Sequence, residues 1–172
     1  MTRGLRHPDI VPALILLAVS AATLAIVYAS QYIGGLQPCQ LCLYQRWPWW
    51  GALALSALAS LPVLSVNLRT LLVLIAGLAI LAGAGLAFYH VGIEQHWWPG
   101  PASCGAAGQI PGSFAQLQRL MQHPAPNCDQ PAWTLFGISM AGYNAILSVV
   151  MGAWALVTAA ATLIGKESVR PG

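Results

Sequence analysis

Polar residues are so sparse along this chain that the apolar runs between them define its elements. Four runs stand out, Ile10–Ser30, Trp47–Leu64, Leu68–Tyr89 and Ile138–Ile164, separated by connectors that carry Pro, Gly and Gln. A helix as long as the first run, 21 residues, rises about 31 Å, close to the roughly 30 Å hydrocarbon core of a bilayer. Each run is long enough to span, the second only just. The pattern predicts an all-α membrane protein, a four-transmembrane-helix bundle forming one integral domain over residues 1–172. Its spans fall at about 10–30, 47–64, 68–89 and 138–164. The tight connector around Pro62–Asn67 makes the second and third spans an antiparallel hairpin. The connectors at about 31–46 and 90–137 lie together on the opposite side.

Shorter-range patterns refine this picture. Ser113-Phe114-Ala115-Gln116 has the Ser-x-x-Gln form of a capping box, and Phe114, Leu117, Leu120 and Met121 follow at helical spacing. They predict a short amphipathic helix lying on the membrane surface. Small residues recur at Ala18, Ala22, Ala25 and Ala29 in the first run and at Ala79 and Gly83 in the third, a spacing that lets helices approach closely in lipid. Trp47, Trp49, Trp50, Trp97 and Trp98 cluster at one predicted membrane boundary, as an aromatic belt does.

Composition agrees, and charge adds orientation. Only 6% of residues are charged, against about 25% in ordinary soluble domains. The few scattered basic residues also argue against a nucleic-acid partner. Arg3, Arg6, Arg69, Lys166 and Arg170 fall on the side of both termini, and only Arg46 and Arg119 on the other. By the positive-inside rule both termini are cytoplasmic, and both long connectors extracytoplasmic. The first run exceeds the 7–15 residues of a signal-peptide core, so it is expected to stay as an uncleaved helix.

All four cysteines lie in the extracytoplasmic connectors, on the side where disulfides persist. Cys39 and Cys42 form a CxxC, whose sulfurs can make a reversible disulfide with little backbone movement and often include a low-pKa thiolate. Arg46 follows Cys42 by four residues. On a helical backbone its cation lies over the same face and favours the Cys42 thiolate, although Pro48 disfavours helical backbone at Trp47 and calls for a kink or a separate turn. Arg46 otherwise reads as an interfacial anchor. Cys104 sits in Pro101-Ala102-Ser103-Cys104-Gly105, a setting expected to be exposed and flexible, and Cys128 follows 24 residues later. These two read either as an inert loop staple or as a second redox pair. Only one close-spaced pair exists, so no metal site is expected. His90 and Glu94 stand one helical turn apart at the end of the third run, where they can share a site with Arg46.

Pro38-Cys39-x-Leu41-Cys42-x-x-Gln45-Arg46, Tyr89-His90, the Cys104 context, and Cys128-Asp129-Gln130-Pro131-Ala132-Trp133 running into Phe136-Gly137-Ile138-Ser139-Met140 together resemble the bacterial disulfide-bond formation protein B (DsbB) family. The resemblance covers most of the chain. It implies a four-helix protein of the inner membrane that reoxidises a periplasmic DsbA-like thiol oxidase and passes electrons to bound quinone, ubiquinone or menaquinone. Carried over, Cys39 and Cys42 are the quinone-coupled pair, with Cys42 thiolate facing the ring beside Arg46. Cys104 and Cys128 are the partner-facing pair, with Cys104 the sulfur attacked. His90 and Glu94 join Arg46 and Cys42 as cofactor-binding candidates. Two other readings remain open: a vitamin K epoxide reductase-like redox protein, whose CxxC follows its loop cysteines where this one precedes them, and a membrane scaffold merely stapled by disulfides.

Overall fold

A computed structural model describes residues 10–104, 112–115, 118 and 126–167. The chain runs through α1 (Val11–Tyr32), a single turn α2 (Gln40–Tyr44), α3 (Arg46–Ala59) and α4 (Val66–Glu94). A 3₁₀ turn (Ala102–Cys104), a short hairpin of β1 (Thr134–Leu135) and β2 (Ile138–Ser139), and α5 (Met140–Glu167) follow. Most of the amphipathic helix expected at Ser113–Met121 lies outside the described residues. Among the described residues, three helices, α1, α4 and α5, are long and apolar enough to cross a membrane. The second predicted span ends early: α3 has 14 residues and rises only about 21 Å.

Local chemistry sets these boundaries. Pro12 sits in the first turn of α1, where a missing N–H costs nothing. Pro48 falls in the first turn of α3, where a missing N–H is tolerated, and Trp47 before it is helical, against the expectation that Pro48 would disfavour helix there. Without an N–H, Pro48 cannot bond back to the Tyr44 carbonyl to run α2 into α3. The chain pauses at Gln45, leaving α2 as a separate turn ahead of α3. Gly35 adopts φ +68° at the exit from α1, a conformation that favours glycine. Phe136 and Gly137, both with positive φ, form the two-residue turn of the hairpin, with Leu135 opposite Ile138 and Thr134 opposite Ser139. At the far end of α3, the buried Arg69 of α4 donates from Nε to the Ala59 carbonyl (2.9 Å) and from Nη2 to the Leu61 carbonyl (3.1 Å). It thereby satisfies carbonyls that a helix C-terminus leaves open.

Helix α4 packs between α3 and α5, and α1 lies on α3. The core joins Leu16 and Leu24 of α1, Trp49 and Ala52 of α3, Val73, Ala76 and Ile80 of α4, and Ala155 of α5. Glycines set the closest approaches. A Cβ on Gly77 would stand 2.7 Å from Ala155 Cβ, and one on Gly83 would stand 2.9 Å from the Pro48 ring. The small-residue stripe expected on α1 faces outward: Ala18, Ala22, Ala25 and Ala29 are exposed, and the buried face is Ala13, Leu16, Ser20 and Leu24. Spacing alone marks such a stripe without saying which side of an all-apolar helix meets its neighbours.

Candidate redox site

The connectors bring the cysteines to one end of the helices. Cys39 caps α2, its sulfur accepting the Cys42 backbone N–H at 3.2 Å, so the CxxC sits across a single helical turn. Its two sulfurs are 2.7 Å apart and unbonded. Cys104 and Cys128 are joined as a disulfide. With Leu41 and Ile93, Cys39, Cys104 and Cys128 form one small buried cluster. Cys104, expected to be exposed, is only 8% exposed, and Cys128 is fully covered. The short turn around Cys104 folds inward onto Ile93 instead of standing free, because the two cysteines and their apolar neighbours supply a core of their own.

The two pairs are neighbours. Cys39 Sγ, Cys128 Sγ and a ring nitrogen of His90 all lie within 4.8 Å of one another. This trio has the spacing of metal ligands, but the Cys128 sulfur is committed to the disulfide. His90 Nε2 stands 3.5 Å from Cys39 Sγ and 3.9 Å from the Glu94 carboxylate. That carboxylate accepts a hydrogen bond from Ser139, which in turn accepts the Gly142 N–H at the start of α5.

Charge on the CxxC pair is unequally shared. The hydrogen bond from Cys42 holds Cys39 down at about 5, helped by His90 and opposed by burial. The same hydrogen bond, together with burial, pushes Cys42 up. The pair therefore gives up one proton easily and the second with difficulty, and the thiolate resides on Cys39. Arg46, expected beside Cys42, points elsewhere. Its Nη1 donates to Gln31 at 2.7 Å and its guanidinium lies 4.8 Å over the Tyr28 ring, while its buried Nε has no hydrogen-bond partner among the described residues.

Two cavities meet at Cys42. A larger one, about 400 Å³, lies between α1, α3 and α5; Arg46, Gln31, Gln45 and Asn144 supply its polar groups within a mostly apolar lining. A smaller one, about 240 Å³, is lined by Cys39, His90, Glu94 and the Pro126–Ala132 loop segment. Cys42 lines both. Of the candidate residues, Cys42 and Arg46 thus share the larger cavity, and His90 and Glu94 line the smaller one. Sequence reasoning passed over Gln31, Gln45, Trp49 and Asn144. For Asn144 a signal was there, because a polar amide inside an apolar run is expensive in a membrane unless it faces a partner or a cavity. Gln31 and Gln45 lie in a polar connector, where an amide is unremarkable.

A helical protein with long apolar helices, a buried thiol pair carrying a low-pKa sulfur, and a disulfide within a few ångströms of it belongs to the membrane thiol–disulfide oxidoreductases as a class. Comparison with known proteins makes the class specific. The family model "Disulfide bond formation protein DsbB" matches residues 11–158, and the chain belongs to that family. It is 30% identical over 142 residues to an uncharacterized protein of Rickettsia prowazekii, covering 80% of each chain. It is 32% identical to the disulfide bond formation protein B of Polaromonas naphthalenivorans, covering 78% of this chain and 81% of that one. The protein of the same name from Pseudoalteromonas atlantica is 28% identical over 162 residues, 90% of this chain and 91% of the relative. No solved structure matches. The chain is thus a membrane-protein member of a disulfide-forming oxidoreductase family.

Proposed function

We propose that the protein is a quinone-dependent thiol oxidase of the bacterial inner membrane that reoxidises a periplasmic DsbA-like dithiol oxidase. The observation that carries this reading is the position of Cys42 in the wall between the two cavities, with Cys39 beside it and within 4.8 Å of Cys128. The sulfurs form an uninterrupted route from the loop disulfide to the larger cavity. In this reading α3 is a fourth, short crossing, the termini are cytoplasmic, and the cysteines face the periplasm. The five-to-two distribution of basic residues supports that orientation.

The sulfur chemistry balances in steps. A thiolate of the partner attacks Cys104 Sγ, forming a mixed disulfide and releasing Cys128 as thiolate. The partner's second thiolate then attacks its own sulfur in that bond, leaving the partner oxidised and Cys104 and Cys128 reduced. When Cys39 and Cys42 are bonded, Cys128 attacks Cys39 and releases Cys42. Cys104 then attacks Cys128, restoring the loop disulfide and leaving Cys39 and Cys42 as a dithiol. This is the state of bonding seen here.

The larger cavity fits a quinone. Its volume and mostly apolar lining suit a ring with an isoprenoid tail, the orphaned Arg46 Nε offers a donor for a ring oxygen, and Cys42 supplies the adjacent sulfur. Quinone, when bound there, supplies an acceptor for the two electrons and two protons of the dithiol. Arg46 and Asn144 would orient it, and the apolar walls would exclude water. His90 acts on the sulfur side, steadying the Cys39 thiolate, and Glu94 stands beside the His90 ring. The test is purified protein mixed with ubiquinone or menaquinone: absorbance change at the quinone should require a reduced DsbA-like partner. Quinone consumption without a dithiol, or partner oxidation indifferent to quinone, would sink the proposal.

A further inference from the structure

We propose that the indole N–H of Trp49 fixes the direction of a buried hydrogen-bond chain that ends at the Cys39 sulfur, forcing His90 to present Nε2–H to that sulfur. The chain runs Trp49, Asn144, Gln45, His90, Cys39, crossing α3, α5, the α2–α3 break and α4. Its links measure 2.8 Å from Trp49 Nε1 to Asn144 Oδ1, 2.7 Å from Asn144 Nδ2 to Gln45 Oε1, 2.7 Å between Gln45 Nε2 and His90 Nδ1, and 3.5 Å from His90 Nε2 to Cys39 Sγ.

The direction follows from the donor inventory. An indole can only donate, so the amide oxygen of Asn144 must face Trp49, and the Ser148 hydroxyl donates to the same oxygen at 3.4 Å. Asn144 then offers its NH₂ to Gln45, which turns its oxygen toward Asn144 and its own NH₂ toward His90. His90 Nδ1 must accept. The ring proton sits on Nε2, which faces Cys39 Sγ and the Glu94 carboxylate, with the Cys128 backbone carbonyl a further acceptor beside the ring. The opposite tautomer would set N–H against NH₂ inside the protein, at the cost of an unsatisfied buried donor. Trp49, Asn144 and Gln45 are therefore positioning residues. None touches the sulfur, yet together they decide whether His90 donates to it or accepts from it.

This inference rests on Cys39 being a working thiol. It predicts a tautomer, which is measurable apart from activity. The titratable groups around the Nε2 proton are Cys39 and Glu94, with Cys42 beyond Cys39 and Cys128 held in its disulfide. The experiment is nitrogen NMR of histidine-labelled protein in lipid nanodiscs, with His90 assigned by comparison with His90→Gln. In the wild type, a single neutral tautomer with bare Nδ1 and protonated Nε2 is expected. Trp49→Phe, which adds no charge, removes the fixing donor and should give a mixture. Asn144→Asp turns an acceptor toward Gln45, reverses both remaining amide links, and should move the proton to Nδ1. In both variants the pH midpoint of Cys39 alkylation, resolved by peptide mass, should rise, by about one unit where the hydrogen bond is lost outright and by less in Trp49→Phe, where the donating tautomer is still populated. Wild-type His90 protonated on Nδ1 would overturn the proposal without any variant having to fold. So would identical His90 spectra in wild type and both variants. Normal tautomers with no quinone-coupled oxidation by the wild type would leave this inference standing and defeat the quinone reading.

Discussion

Cys39 is where the residue scale is most informative, because its thiol is held at about 5, well below the ordinary 9.0. The sign follows directly. A depressed pKa stabilises the folded, reduced protein fully above the ordinary value, and that contribution fades as pH falls through about 5. Cys39 should therefore alkylate at a rate that is flat near neutrality and drops below about pH 5. Cys42, pushed the other way by the same hydrogen bond, should react far more slowly throughout that range. Equal rates at pH 7 would refute the assignment of the thiolate to Cys39. Arg46 supplies a second prediction. Under the quinone reading, Arg46→Met removes a charged donor from the larger cavity and should raise the KM for quinone about tenfold or more, with partner capture unchanged. Lysine at 46 should restore only part, because it lacks the planar fork that now holds Gln31 and covers Tyr28. Steady-state oxidation against quinone concentration, with partner trapping measured in parallel, checks both variants.

At the scale of elements, much was legible in the chain. Apolar runs located α1, α4 and α5 to within a few residues, since for those helices the length of the run and the length of the helix have one cause. The second run misled because hydrophobicity continues through Leu61, Val63 and Leu64, past Ser60 and Pro62, where the chain already turns. The Cys39/Cys42 turn was readable from local rules, and so was a separate turn ahead of Pro48, although the break falls at Gln45 and Trp47 stays helical. The Trp49–Asn144–Gln45 chain was not. Its partners lie 95 and 99 positions apart, and only packing brings them together. Packing also yields a prediction. Gly77 meets Ala155 and Gly152 of α5 with no room for a side chain, so Gly77→Leu should destabilise the α4–α5 contact by about 1–3 kcal/mol. A lower thermal midpoint in detergent is the measurement. Gly85, which has open space at its Cβ position, serves as the control: Gly85→Leu should leave the midpoint within a degree or two.

For the whole molecule, the proposed function separates where electrons enter, at the loop disulfide, from where they leave, at the larger cavity. Cys104 is covered, so under the proposed function the partner reaches its sulfur only after the cover over it is displaced. In the proposed orientation, a membrane-impermeant thiol reagent applied from the periplasmic side should label all four cysteines after reduction; labelling from the cytoplasmic face of inverted vesicles would overturn it. A Cys128→Ser variant should accumulate the partner bonded to Cys104, and recovery of the partner on Cys39 would reverse the order of the pairs. At the opposite end of the molecule, Arg69 of α4 grips the final carbonyls of α3. During synthesis α3 emerges before that grip exists, a 14-residue helix with open carbonyls and too little length to settle in a bilayer by itself. In the proposed topology, where α3 is a short crossing, biogenesis is then a matter of pairs: α3 and the first turns of α4 enter lipid together as one hairpin.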